Sequence, residues 1–91
     1  MEKQIGDLTV ITRYQNRQVI LNYYDEDMLI QRDGFHFESI QLIESYLSFS
    51  KKDGSKFTIE LTEYPSRYVN NDFQNYYILR SNSNRLEIYF P

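Results

Sequence analysis

Apolar and polar residues alternate along most of this chain, most sharply around one Asp-Gly dipeptide. Leu47 and Phe49 alternate with Ser48 and Ser50; past Asp53-Gly54, Phe57, Ile59 and Leu61 alternate with Thr58, Glu60 and Thr62. Period two on both sides of an Asp-Gly is a strong hairpin signal. Residues directly opposite in an antiparallel pair share a face, so parity fixes the loop. A loop of Asp53-Gly54 alone would set Phe49 opposite Thr58 and mix the faces. The longer loop Lys52-Asp53-Gly54 sets Phe49 opposite Phe57 and Leu47 opposite Ile59. It also puts Gly54 where such loops end in a left-handed residue. The expectation is a type I turn closed by a glycine bulge.

The same reading applies to the flanks. Leu8, Val10, Thr12 and Tyr14 alternate and predict a first strand, which turns through Gln15–Gln18 into Val19–Tyr24 with Tyr14 opposite Val19. Asp25-Glu26-Asp27 reads as a solvated turn whose charges discourage edge pairing, without the spacing of a calcium loop. Met28–Arg32 and Phe35–Glu38, joined by Asp33-Gly34, read as a second hairpin with Ile30 opposite Phe37.

Ser39–Tyr46 is ambiguous. Ser39 could cap a short helix carrying Ile40, Ile43 and Leu47 on one side, yet Ile40 and Leu42 alternate with Gln41. So short a helix without a terminating Gly is weak, and the pattern leans to a bent or bulged strand running on into the central hairpin. Glu63–Asp72 reads as one long irregular stretch, since Pro65 cannot donate to a ladder and Asn70-Asn71-Asp72 is a turn cluster.

Phe73–Arg80 and Leu86–Phe90 predict a last hairpin across Ser81–Asn84. Within it Tyr76 and Ile78 share one face while Tyr77 and Leu79 share the other. A strand apolar on both faces should be central, or should meet a partner with its outer side. These elements make an all-β chain, or a mostly β one with at most one short helix near 39–46. About seven to eight short antiparallel strands form a meander of hairpins, closing as a small sandwich or barrel in a single domain over 1–91.

Composition narrows the chemistry. Fifteen of the 91 residues are aromatic, nine Tyr and six Phe, with no Trp. Tyrosine suits half-buried sheets and contact surfaces alike, because its ring is apolar and its hydroxyl can stay wet. The net charge is −3 without a basic stripe, which disfavours nucleic-acid binding. Only Arg67, Arg80 and Arg85 in the C-terminal third could flank stacked tyrosines for a single strand.

No cysteine is present, which suits a reducing cytosol, and the start of the chain lacks the apolar run of a signal peptide. No stretch approaches the roughly eighteen apolar residues of a spanning helix. The chain is therefore expected in the cytoplasm and away from membranes. Frequent Asn, Ile and Tyr beside three Gly and no Ala have an A·T-rich coding flavour, as in some bacteria and their phages.

Catalytic patterns are missing. Gly6, Gly34 and Gly54 cannot build a phosphate loop, and no nucleophile elbow or zinc-binding histidine pair occurs. His36 is alone and lies on a strand without a nucleophile or carboxylate at motif spacing. The sequence thus predicts no enzyme, no cofactor and no metal site.

What remains is a small protein-interaction domain with an aromatic surface, such as an inhibitor, an immunity-like factor or an assembly factor, encoded by a phage or another mobile element. The expected contact residues are Tyr64, Arg67 and Tyr68 in the irregular stretch, of types favoured at hot spots, with Tyr77 and Leu79 on the two-faced strand. A protein partner is expected, and a homodimer is open. The alternative is a small β-barrel holding an apolar or aromatic ligand, which so short a chain could barely enclose.

Overall fold

In the computed structural model, which describes residues 2–6 and 8–91, nine strands form two antiparallel sheets. The strands are β1 (Glu2–Gln4), β2 (Arg17–Asp25), β3 (Met28–Phe37), β4 (Ser39–Ile43) and β5 (Tyr46–Ser50), then β6 (Lys56–Glu60), β7 (Ser66–Asn70), β8 (Tyr76–Arg80) and β9 (Asn84–Tyr89). The larger sheet has the order β1-β7-β8-β9-β2-β3 and the smaller the order β4-β5-β6. The sheets do not close on each other, so the fold is sandwich-like. The barrel alternative fails, because each sheet keeps two free edges.

The central hairpin has the register parity requires. Phe49 lies opposite Phe57 and Leu47 opposite Ile59. Gly54 adopts φ +89°, its N–H donates to the Lys51 carbonyl at 3.0 Å, and the Lys51 N–H donates to the Ser55 carbonyl at 2.8 Å. That is a three-residue loop ending in a glycine bulge. Asp53 Oδ1 accepts from the Ser55 amide at 2.9 Å and its hydroxyl at 2.6 Å, which pins the loop and lowers the Asp53 pKa from its ordinary value.

Leu8–Tyr14 is not a strand. Thr9–Arg13 forms a 3₁₀ helix, η1, with Thr12 Oγ1 donating to the Thr9 carbonyl at 2.6 Å. Leu8, Ile11 and Tyr14 are buried while Val10 is 38% exposed. Their spacing of three matches the 3₁₀ repeat, which sets all three on one side. The hairpin expected between Tyr14 and Val19 is therefore absent.

The second hairpin turns elsewhere. β2 and β3 join at Glu26-Asp27, both left-handed with φ of 49° and 69°, and the pairing runs from Asp25–Met28 to Arg17–Phe37. The Asp33-Gly34 dipeptide lies inside β3, opposite Leu21 and Ile20. Burial decided this: the full-length pairing puts Val19, Leu21, Phe35 and Phe37 on the core side, which a turn at Gly34 would break.

Ser39–Ile43 is a strand, as the pattern leaned, but it turns at Glu44-Ser45 instead of running straight on, with Glu44 at φ 54°. Leu61 and Thr62 leave the alternating strand for a short 3₁₀ turn, η2 (Leu61–Glu63), and Glu63–Asp72, expected to be irregular, holds the strand β7. Pro65 stands just before β7, where its missing N–H costs no ladder bond.

The core lies between the sheets. Val19, Leu21, Phe37, Leu79, Leu86 and Ile88 come from the larger sheet, Ile40, Leu47, Phe49 and Ile59 from the smaller, and each is at most 5% exposed. Phe35, Phe37, Phe49 and Phe57 interlock edge-to-face or tilted at 5.3–5.8 Å between ring centres. Tyr14, just after η1, closes one end, stacked on Phe90 at 4.1 Å. Burying one such side chain contributes about 1.5–3 kcal/mol, so the filled interior is the main stabilising term.

Candidate interaction face

The smaller sheet covers one side of the larger sheet, and among the described residues no layer covers the other. On that bare side one row of directly paired residues runs Gln4, Tyr68, Ile78, Glu87, Asn22 and Arg32. The adjoining rows carry Tyr76, Tyr89 and Ile20 on one flank, and Arg80, Arg85 and Tyr24 on the other. The outer side of the smaller sheet differs. Its middle is Gln41, Ser48 and Thr58, with a Ser48–Thr58 hydroxyl contact at 3.3 Å, and Ile43 and Tyr46 are exposed only at one turn.

Aromatic rings and guanidinium groups interleave on the bare side. Arg85 sits 4.1 Å over the Tyr24 ring and Arg80 sits 5.2 Å over Tyr68. The Tyr76 ring lies 5.8 Å from Tyr89 and 5.6 Å from Phe73, which is 62% exposed. Ile78, 3% exposed yet outside the main core, lies between Tyr68 and Glu87 on its neighbouring strands. An apolar floor with half-exposed rings is an arrangement suited to contact.

Two of the three arginines on this face, Arg80 and Arg85, are held, while Arg32 at the end of the row is exposed. Arg80 Nη2 lies 2.9 Å from Glu2 Oε2, and Arg85 Nη1 lies 3.3 Å from Asp27 Oδ1. Arg85 Nε is 3.2 Å from Glu87 Oε2, an ion pair whose angle is too poor for a hydrogen bond. The Tyr76 hydroxyl donates to Glu87; burial first, and that bond second, hold its pKa well above the usual phenol range. Arg80 and Arg85 are thus balanced by Glu2, Asp27 and Glu87.

The structure scatters the five residues singled out from sequence. Tyr68 lies on the bare face. Arg67, next to it, points to the core side opposite Leu79, with its Nε buried and without a hydrogen-bond partner. Tyr64 packs at the end of the sandwich beside Tyr23, Ile59 and Glu63 over a hollow of about 150 Å³, and burial raises its pKa. Tyr77 and Leu79 are 3% and 0% exposed and lie on the core side of β8, away from the bare face. Strand parity was right, but the core took the face assigned to a partner.

Tyr77 belongs to a buried hydroxyl chain. Its oxygen is 2.9 Å from that of Tyr14, which lies 2.8 Å from Asn75 Oδ1. A carbonyl oxygen only accepts, so the single Tyr14 proton goes to Asn75 and Tyr77 must donate to Tyr14. Burial, then this bond, push the Tyr77 pKa up to about 12. A groove of about 460 Å³ lined by Ile5, Val10, Arg13, Val69 and Tyr77 opens above the pair.

The face residues that sequence reasoning did not name as contacts are Tyr24, Phe73, Tyr76 and Tyr89, and Arg80 and Arg85 were named only as flanks for a nucleic-acid strand. Their parity within each strand was visible, whereas their meeting on one face needed the β2–β9 pairing. Among the described residues no group of three or more His, Cys, Asp or Glu could hold a metal ion, and no helix is long and apolar enough to cross a membrane. The chain matches no protein-family model, no curated protein and no solved structure.

Proposed function

We propose that this protein is a non-enzymatic interaction domain that grips a protein partner with the bare face of its larger sheet. One observation carries the reading: a sheet face with no covering layer displays Tyr24, Tyr68, Tyr76, Tyr89 and Phe73 instead of the polar residues of the opposite sheet. Tyr and Arg are the types that dominate binding energy at protein interfaces. Here Arg80 and Arg85 are already fixed over the rings of Tyr68 and Tyr24, so little of their side-chain entropy is lost on contact. The charge balance of the face favours a protein over a nucleic acid. An inhibitor, an immunity-like factor or an assembly factor of a bacterium or phage would use such a surface, and a cytoplasmic setting fits a chain without cysteine.

The test is site-specific photocrosslinking in the cell of origin. A benzophenone side chain at Tyr68 or Tyr89 is expected to yield one discrete protein adduct, and the same probe at Thr58 on the opposite sheet is expected to yield none. Equal adducts at all three positions, or none at Tyr68 and Tyr89, would overturn the proposal.

A further inference from the structure

Strand β3 is the outermost strand of the larger sheet, paired with β2 on one flank only. Its first residues, Met28, Leu29 and Ile30, are 70%, 48% and 64% exposed. The opposite edge, β1, carries Glu2, Lys3 and Gln4 instead. Edge strands are normally guarded by charge or by shortness, and three consecutive exposed apolar residues on a ten-residue edge are the reverse of that. A bulge sharpens the oddity. Tyr23 pairs with Gln31 and Tyr24 with Leu29, so Ile30 has no partner on β2.

Unspent charges flank the apolar triplet. Glu26 in the preceding turn and Arg32 on the strand are both exposed, and neither forms an ion pair within the chain among the described residues. Asp27, by contrast, is taken by Arg85. Glu26 and Arg32 stand at equal distances along the chain from Leu29.

We propose that a second copy of this chain docks here, β3 against β3 and antiparallel, about a two-fold axis at Leu29. In that arrangement Ile30 of each copy meets Met28 of the other, and Arg32 of each copy lies beside Glu26 of the other. The self-complementarity of charge selects a second copy over a foreign strand, since one residue set satisfies both halves of the contact. The bulge limits how far backbone pairing can run, so the contact closes as a dimer and does not propagate. The contact is small, at or below the roughly 1,200 Å² lower bound of stable interfaces, so the dimer should be weak and reversible. This goes beyond the tyrosine-face reading and shares with that face only Arg32 at its end, none of its tyrosines, so either can fail alone.

Sedimentation of the whole chain from about 1 to 300 μM tests it. The expected result is a monomer–dimer equilibrium that dissociates on dilution. Ile30→Lys should abolish the dimer, and R32E or E26R alone should weaken it by about tenfold or more, because each creates two like-charge contacts. An equimolar mixture of R32E and E26R chains should restore it, since both contacts are then opposite in sign. An unchanged Tm for each variant at low concentration shows that the fold is intact. A chain monomeric throughout the range, a dimer indifferent to Ile30→Lys, or a mixture that fails to restore association would overturn the proposal. Capture of a foreign strand by a strictly monomeric chain would overturn it too.

Discussion

Tyr77→Phe removes one oxygen from the interior and tests the direction of the hydroxyl chain. Tyr77 donates to Tyr14 at 2.9 Å, and Tyr14 donates to Asn75 at 2.8 Å while also accepting from Arg13 Nη2 at 3.3 Å. Losing Tyr77 leaves the Tyr14 oxygen with Arg13, so the cost is that of one ordinary hydrogen bond, about 1 kcal/mol. Tyr14→Phe is worse. It strands the Tyr77 proton at a position 3% exposed and takes the donor from Asn75 Oδ1, for a loss of about 2–3 kcal/mol. With Tyr14 already replaced, Tyr77→Phe should cost nothing or recover a few tenths of a kcal/mol, because it deletes a buried hydroxyl with no acceptor. Urea unfolding reads this directly. With a slope of about 1 kcal/mol/M for a chain this small, the midpoint falls by roughly 1 M for Tyr77→Phe and by two or more for Tyr14→Phe. Equal losses from Tyr77→Phe in both backgrounds would refute the donor order.

Alkaline unfolding follows from the same groups. Tyr23 and Tyr77 rise from 10.0 to about 12 in the fold, mainly by burial, and Tyr76 shifts the same way. The unfolded chain therefore ionises first, so stability is full below about pH 10 and is lost as pH rises through 12; a Tm series checks this, with a shallower decline for Tyr77→Phe. The two Asp-Gly dipeptides should respond oppositely to alanine. Gly54→Ala loses about 1 kcal/mol because φ is +89°, although nothing crowds the new methyl group. Gly34→Ala is neutral or gains up to about 1 kcal/mol, since its nearest neighbours would lie at 3.8–3.9 Å in ordinary strand geometry. A thermal melt that ranks them the other way would return the turn to Asp33-Gly34. Phe49→Leu should cost about 1–2 kcal/mol and Phe49→Ala about 3–5, the latter comparable to the whole stability of so small a domain, so its calorimetric transition should vanish.

Much of the fold was legible where local rules act alone. The Phe49–Phe57 register followed from parity and one glycine, and the doubly apolar pattern of Tyr76–Leu79 left two readings for β8, a central strand or one facing a partner, of which the central position is the one it takes. The failures share a cause: two local signals competed and a distant contact decided. Asp33-Gly34 is a better turn than Glu26-Asp27 by composition, yet the turn at 26–27 lets β2 and β3 pair along their full length. Period two and period three both fit Leu8–Tyr14, and only packing, with Tyr14 stacked on Phe90, selects period three. For the candidate face the limit was sharper. Tyr76 and Ile78 look as fit for the core as Tyr77 and Leu79, and sequence has no means of telling inside from outside on a doubly apolar strand.

The position of β9 has a consequence for synthesis. β9 lies between β8 and β2, so the larger sheet cannot be joined until residues 84–89 have been made. β2 is complete at Asp25, roughly sixty residues earlier, an interval of about 3–12 s at ordinary translation rates. Through that interval the β2–β3 hairpin has Val19 and Leu21 in place and an unpaired flank where β9 will sit. The β4-β5-β6 meander needs only neighbouring turns and can form meanwhile over the Phe37 side of that hairpin. The nascent chain thus builds its cover before its floor, and the half-made sheet is the species that a chaperone or an aggregating neighbour would meet.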